Sequence, residues 1–400
     1  MIAVSATLNE WASGIIIQGV FLLCWSIGFL NSQRIKFINQ MIKKAAFKVG
    51  LGDSELPAVI FILSLSIIGF IMLLQKGYLY YGGTETKLIY SEDTSGGHVY
   101  SIFSSFLMPM TLAMAFSRLK FYKRHLKSWH WFSLIMFVII FTVLLVFTAQ
   151  RALLLLPIIL YWAIGSLNKM SVNLKRSAIL ALLAIIAVIL VGGVLASYRQ
   201  IFWSYRDADF LHYLYLIGES GNREKDFTEA INNFVVRLDL AQNSGLLYAY
   251  AQRNGLAFWR PYLGVITSWI PKFIWHEKPF AGSYDGTYET SPEYILGYLK
   301  TGIIGGVNTA TRPAAGVMYW HFGSLGLIIG GVLIGAIWRI LIEISKPTKS
   351  FLGLIAFLMI INQLMIPADN LDKVLLFLSR HFFVLWLLNR FCSFSWKRYL

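Results

Sequence analysis

The sequence predicts an all-α polytopic membrane protein, and three observations carry that expectation. Windows of about 18 or more apolar residues recur along the chain, the length a helix needs to cross a hydrocarbon core. Of the 400 residues, 57% are hydrophobic and only 14% charged, too few charges to cover a soluble domain of this size. The net charge of +15 is unevenly placed. It gathers in alternate loops, the pattern of orientation in a bilayer, which argues against a nucleic-acid partner.

Hydropathy predicts about nine spans, at about 13–31, 58–75, 100–117, 131–148, 152–167, 178–197, 314–338, 351–366 and 374–391. At 1.5 Å per residue they cover roughly 25–35 Å. The loop after the first span carries Arg34, Lys36, Lys43, Lys44 and Lys48, and the loop after the third Arg118, Lys120, Lys123, Arg124 and Lys127. Lys169, Lys175 and Arg176 follow the fifth, Arg339, Lys346 and Lys349 the seventh, and Arg390, Lys397 and Arg398 the ninth. The opposite loops hold Lys76 and Lys87, then Arg151 alone, then Lys373. The positive-inside rule therefore predicts an external N-terminus and a cytoplasmic C-terminus.

Cys24 and Cys392 lie in or beside spans near opposite ends of the chain, implying neither a disulfide framework nor a metal site. The N-terminus lacks a basic n-region and a small-residue cleavage site, so its first apolar stretch is expected to remain as a helix.

The expected organisation is a membrane bundle over residues 1–197, a large external segment over 198–312 and a second bundle over 313–400. The middle segment holds 11 basic and 11 acidic residues, and loops of that length translocate regardless of charge. Its "TEAINNFVVRLDLAQNSGLLYAYA" shows helical spacing of apolar residues. The aromatic "GLAFWRPYLGVITSWIPKFIW" suits a segment lying at the membrane surface. "IPKFIWHEKP", Ile270 to Pro279, is a shaped loop because proline blocks helix continuation at both ends. A loop rich in Arg, Lys and aromatics beside a bilayer suits a ligand with phosphate and sugar parts.

That loop resembles the proline–basic–aromatic–Lys-Pro segment of Wzy-type oligosaccharide repeat-unit polymerases, the O-antigen polymerases. "NTATRPAAGVMYWHFGSLGLIIGGVLIG" resembles the family's "FG-x-x-G" span, entered just after its large external loop. "TAQRALLLLPIILYW" is similar in having a lone Arg, Arg151, opening an apolar helix. Two Arg-x10-Gly spacings, Arg253 with Gly264 and Arg312 with Gly323, also match a pattern described for the family. The resemblance covers most of residues 130–338. It implies a glycosyltransferase of the broad GT-C-type membrane class, joining undecaprenyl-pyrophosphate-linked oligosaccharide units on the outer leaflet of a bacterial inner membrane. Membrane lipid and a chain-length regulator protein are the partners it implies.

Such chemistry needs cations to stabilise the departing pyrophosphate and a group to take the acceptor hydroxyl's proton. It needs no cofactor and no metal, and the sequence has no Walker motif and no clustered His/Cys ligands. Arg151, Arg253, Arg260, Lys272, Lys278, Arg312 and Arg380 are the candidates for pyrophosphate and sugar binding. Each cation at a helix end has a plain alternative as a snorkelling anchor. Arg380 and His381 fall within the ninth span, where ionisable groups are functional candidates or members of a structural pair. Asp239, Glu277 and His321 are the candidate catalytic residues. Most external acids read as solvated loop charges, and His321 reads more readily as a packed core histidine than as a site residue.

Three other functions fit part of the pattern, the weakest a membrane acyltransferase, which would need a catalytic His where the first histidine is His98 in a Gly-rich external loop. An O-antigen ligase shares the donor and the large loop but uses lipid A-core as acceptor. A polysaccharide or lipid transporter is expected to show inverted repeats and broken helices near midplane, and one very long loop disrupts such symmetry.

Overall fold

The computed structural model describes residues 8–47, 56–75, 240–266, 291–301, 313–347, 350–364 and 371–395, together with Phe106, Pro109, Met110, Ala113, Ile135, Ile139 and Trp275. Every regular element among them is helical. These are α1 (Leu8–Asn31), α2 (Lys36–Ala45), α3 (Leu56–Gln75), α4 (Leu240–Asn254), α5 (Arg260–Ile266) and α6 (Pro292–Thr301). They continue as α7 (Ala314–Leu325), α8 (Gly331–Ser345), α9 (Phe351–Leu364), α10 (Leu371–Phe377) and α11 (Phe383–Ser395). π-type turns, Gly326–Gly330 and Leu378–Phe382, join α7 to α8 and α10 to α11. The expected spans at 100–117, 131–148, 152–167 and 178–197 lie outside the described residues, apart from isolated positions.

Among the described residues, two stretches are long and apolar enough to cross a membrane, by length and composition: Asn9–Asn31 with 23 residues and Ala314–Ser345 with 32. The chain divides into two compact units, one of residues 1–61, 93–97 and 237–400, the other of 62–92 and 98–236. In the second, Ser66 Oγ donates to the Ile62 carbonyl at 2.6 Å, and Phe106, Met110 and Ala113 are buried. The division joins the first helix to the C-terminal ones, and cuts the expected external segment at residue 237.

Within the first unit, α1 is the spine. Ile17, Phe21 and Cys24 are buried on it, while Ile16, Leu22, Leu23, Ile27 and Leu30 are exposed. A helix apolar on both its packed and its exposed faces suits a lipid surround. Its packed face meets α4 and α8 through glycines. A Cβ on Gly245 would lie 1.9 Å from the Glu10 carbonyl oxygen, and one on Gly335 2.0 Å from that of Trp25. Backbones approach this closely only where a side chain is missing. Residues 21–29 of α1 meet residues 331–335 of α8 in ascending order, so the two run parallel. Gly14 faces Ala241, while Gly245 faces Glu10, so α4 runs antiparallel to α1.

Segments expected between the spans are helical, the stretch now α4 as its apolar spacing indicated and α2 in place of a loop. α2 has apolar residues at 37, 38, 41, 42 and 45 opposite Lys36, Gln40, Lys43 and Lys44, a clean amphipathic pattern. α4 belongs to the core: Asn243 and Ser244 have no exposure, and Gln18 Nε2 on α1 donates to Ser244 Oγ at 2.8 Å. α6 starts where Ser291 caps it, its Oγ accepting from Tyr294 N at 3.4 Å, with Pro292 at the first helical position. Arg339 lies inside α8 and not in the loop after it. It pairs with Glu343 one turn on at 3.0 Å and lies over the Phe29 ring. α8 stops at Lys346, in the left-handed region (φ 45°, ψ 55°) just before Pro347, as helices often do.

Candidate functional site

The site begins with a break in a helix. α7 is regular until Phe322 (φ −135°, ψ 16°) and Gly323 (φ 63°, ψ −147°), the latter a conformation essentially closed to any residue with a side chain. Gly326 then passes so close to Met318 that a Cβ would lie 2.0 Å from its carbonyl oxygen. The "FG-x-x-G" motif, Phe322 to Gly326, is therefore the break itself.

Breaking a helix leaves carbonyls without their helical partners. Here the loop between α4 and α5 takes them: Ala257 N donates to the Trp320 carbonyl at 2.9 Å and Phe258 N to that of His321 at 2.8 Å. To make both bonds Phe258 adopts φ 53°, uncommon for a bulky residue. Its side chain and that of Trp259 consequently project outward, 54% and 62% exposed. Arg253, in the last turn of α4, and Arg260, the first residue of α5, flank this loop and are exposed. The result is a rim of two arginines and two aromatics.

Below the rim is a histidine. His321 has no exposure, and its Nδ1 shares a 3.1 Å hydrogen bond with the Tyr262 hydroxyl, the donor depending on the tautomer. Tyr262 also stacks on Phe322 with ring centroids 5.8 Å apart, and Trp320 lies 5.4 Å from the imidazole centroid. A floor of Leu246, Leu247, Ala251, Ala257, Ile295, Leu296, Val317 and Trp320 packs α4, α6 and α7 together beneath the loop. Gln252 Nε2 on α4 donates to the Tyr319 hydroxyl on α7 at 2.7 Å.

Three of the sequence candidates thus come together, since one loop carries Arg253 and Arg260 at its ends and bonds to the backbone at His321. Arg380 lies apart from them in sequence, in the π-type turn Leu378–Phe382, next to His381, whose ring stacks on Phe377 at 5.9 Å. Arg151, Asp239, Lys272, Glu277, Lys278 and Arg312 lie outside the described residues. Trp275, within the proline-bracketed loop, is exposed. Sequence reading missed Tyr262, because nothing in the spacing ties it to a histidine 59 residues away. It also passed over Asp207-Ala208-Asp209, two carboxylates at a spacing able to share a divalent cation, which lie outside the described residues. No group of three or more His, Cys, Asp or Glu able to hold a metal occurs among the described residues.

Fold and site define a class: a helical protein with membrane-length apolar helices, one of them broken beneath an arginine–aromatic rim. No family model matches the chain, and neither does any curated protein or solved structure.

Proposed function

We propose that this chain is a multi-pass inner-membrane glycosyltransferase, with about nine spans and a GT-C-type plan. In this reading it polymerises undecaprenyl-pyrophosphate-linked oligosaccharide repeat units. The observation that carries the reading is the rim of Arg253, Phe258, Trp259 and Arg260 clipped to the broken helix at His321. Guanidinium forks suit pyrophosphate oxygens, and exposed aromatic faces suit sugar rings. The directions of the helices agree with the proposed topology: α1 and α8 run parallel, as two outside-to-inside spans would. The cations of α2, of the α8 end and of Arg390 also gather at one end, away from the rim.

The reaction moves the growing glycan. The acceptor hydroxyl of the next lipid-linked unit loses its proton and bonds to the donor's C1, while the C1–oxygen bond to the lipid pyrophosphate breaks. Arg253 and Arg260 hold the departing pyrophosphate, and one of the acids, Asp239 or Glu277, takes the proton. His321 is fully enclosed, so its part is to position Tyr262, with whose hydroxyl it shares a hydrogen bond. Charge-assisted hydrogen bonds contribute about 1.5–3 kcal/mol each, so Arg253→Ala should lower turnover by roughly tenfold to a hundredfold.

The test is a deletion in the native host. Polymerisation is this chain's task if lipid A-core then carries a single repeat unit and Arg253→Ala fails to restore the ladder. An unchanged ladder refutes the reading. Core bearing no repeat unit, with long lipid-linked glycan accumulating outside, assigns ligation instead. The helix break at Phe322–Gly323 favours one second reading, transport, since discontinuous helices line transporter sites. Lipid-linked single units trapped on the inner leaflet would decide for it.

A further inference from the structure

An exposed apolar strip lies on α2, away from the rim. From the apolar side of that helix Ile42 is buried against the first unit and Ile38 half-buried, whereas Phe37 and Met41, one turn apart, are 68% and 51% exposed. Ile35, just before the helix, is 53% exposed. Arg34, Lys36, Lys43 and Lys44 are all exposed around this strip. So one helix presents an apolar edge bordered by cations, and only half of its apolar arc is used in packing.

The helix is also held in place. The Trp386 indole donates to the Ala45 carbonyl at 2.6 Å, and the Arg390 guanidinium donates to the carbonyls of Lys44 and Ala46. Phe47 N donates to the Ile344 carbonyl at 2.8 Å, and its ring meets Phe382 edge-on at 5.7 Å. The Trp386 and Arg390 bonds satisfy carbonyls at the C-terminal end of α2, the Phe47 bond one at the end of α8, and together they fix which edge of α2 faces outward. α2 follows α1 after the three-residue turn Ser32–Arg34, which places it at the end of a helix of membrane-crossing length.

We propose that α2 is a lipid-binding helix, lying in the bilayer interface with Phe37 and Met41 in the acyl boundary and its cations on anionic headgroups. Its chemistry fits that occupant. A helix with Lys and Arg on one face and Phe on the other settles at the headgroup boundary, about 5–10 Å deep. Each cation near an anionic surface strengthens binding by roughly fivefold. A second protein chain would bury the apolar edge but has no use for four solvated cations around it. The inference rests on α1 crossing the membrane, not on the polymerase reading.

The experiment uses the full-length protein in vesicles of phosphatidylcholine with or without phosphatidylglycerol, doped with lipid brominated near the headgroup or deep in the acyl chain. Single cysteines replace Phe37, Met41, Gln40 or Leu22 in a Cys24→Ala, Cys392→Ala background and carry an environment-sensitive fluorophore. Shallow bromines should quench the probes at 37 and 41 at least about twofold more than the probe at 40. Lys43→Glu with Lys44→Glu should lower the preference for phosphatidylglycerol by roughly an order of magnitude or more. Quenching at 22 by deep bromines but none at 37 and 41 overturns the lipid-helix proposal alone. No quenching at 22 overturns the membrane placement of α1 and this proposal with it. Crosslinking of probes at 37 or 41 to a second copy, with no quenching, assigns the edge to a protein interface and overturns the proposal.

Discussion

The two ends of the first unit are built on opposite plans. At the basic end, side chains do most of the reaching: Trp386 and Arg390 cap the carbonyls of α2, beside a single backbone bond from Phe47 N to the Ile344 carbonyl, while the cations of α2 are exposed. At the rim end, backbone reaches to backbone: the loop at 257–258 replaces the helical bonds that the break in α7 gives up. Side-chain anchoring tolerates substitution, because a lost hydrogen bond of this kind is worth about 1 kcal/mol. A backbone clip depends on one unusual conformation and tolerates little. The difference places the rigid, sequence-intolerant end where the proposed chemistry is and the adaptable end where only orientation is required.

Substitutions can break this contrast in order of severity. Gly335→Val should hurt most, since its side chain would meet the Trp25 carbonyl directly. Overpacking of that kind costs about 1–3 kcal/mol or more, and the melting temperature in detergent should fall by several degrees. Gly323→Ala attacks only the rim end, where the positive φ and extended ψ penalise any Cβ by about 1–3 kcal/mol. Proteolysis should then open the 255–259 loop while leaving α2 protected. Tyr262→Phe removes the hydrogen bond to His321 and keeps the ring stacked on Phe322; about 0.5–1.5 kcal/mol of stability should be lost. If His321 positions Tyr262 for the acceptor, polymer should also shorten, whereas a purely packed pair would leave the ladder intact. Trp386→Phe should be the mildest, a loss of about 1 kcal/mol with no change in polymer.

What could be read in advance follows from where the information sits. α1, α3 and α9 announce themselves because their apolar runs are continuous, and α9 starts at the predicted residue, 351. α2 was equally visible in its apolar spacing but was overshadowed by five cations, which read as a loop. The first span starts at Leu8, five residues before its expected start, because Asn9 and Glu10 interrupt hydropathy without interrupting helix. Arg253 and Arg260 could be chosen from composition, yet their shared loop and its clip to His321 could not. Those contacts join residues more than 60 apart and leave no periodic trace. "FG-x-x-G" is a case where motif and geometry coincide: its glycines satisfy the helix break whatever chemistry occurs nearby, so the motif marks a shape before it marks an activity.

The glycine contacts between α1 and its distant partners carry a consequence for how this protein is made. Gln18 bonds to Ser244, 226 positions later, and Gly335 meets Trp25 later still. At about 5–20 residues per second of synthesis, α1 waits on the order of 10–45 s for the first of these neighbours. During that interval its glycine grooves lack α4 and α8, the helices that fill them in the finished unit. The glycine seam of α1 thus closes only after more than half of the chain has been made, and the bonds of Trp386 and Arg390 to the end of α2 form later still.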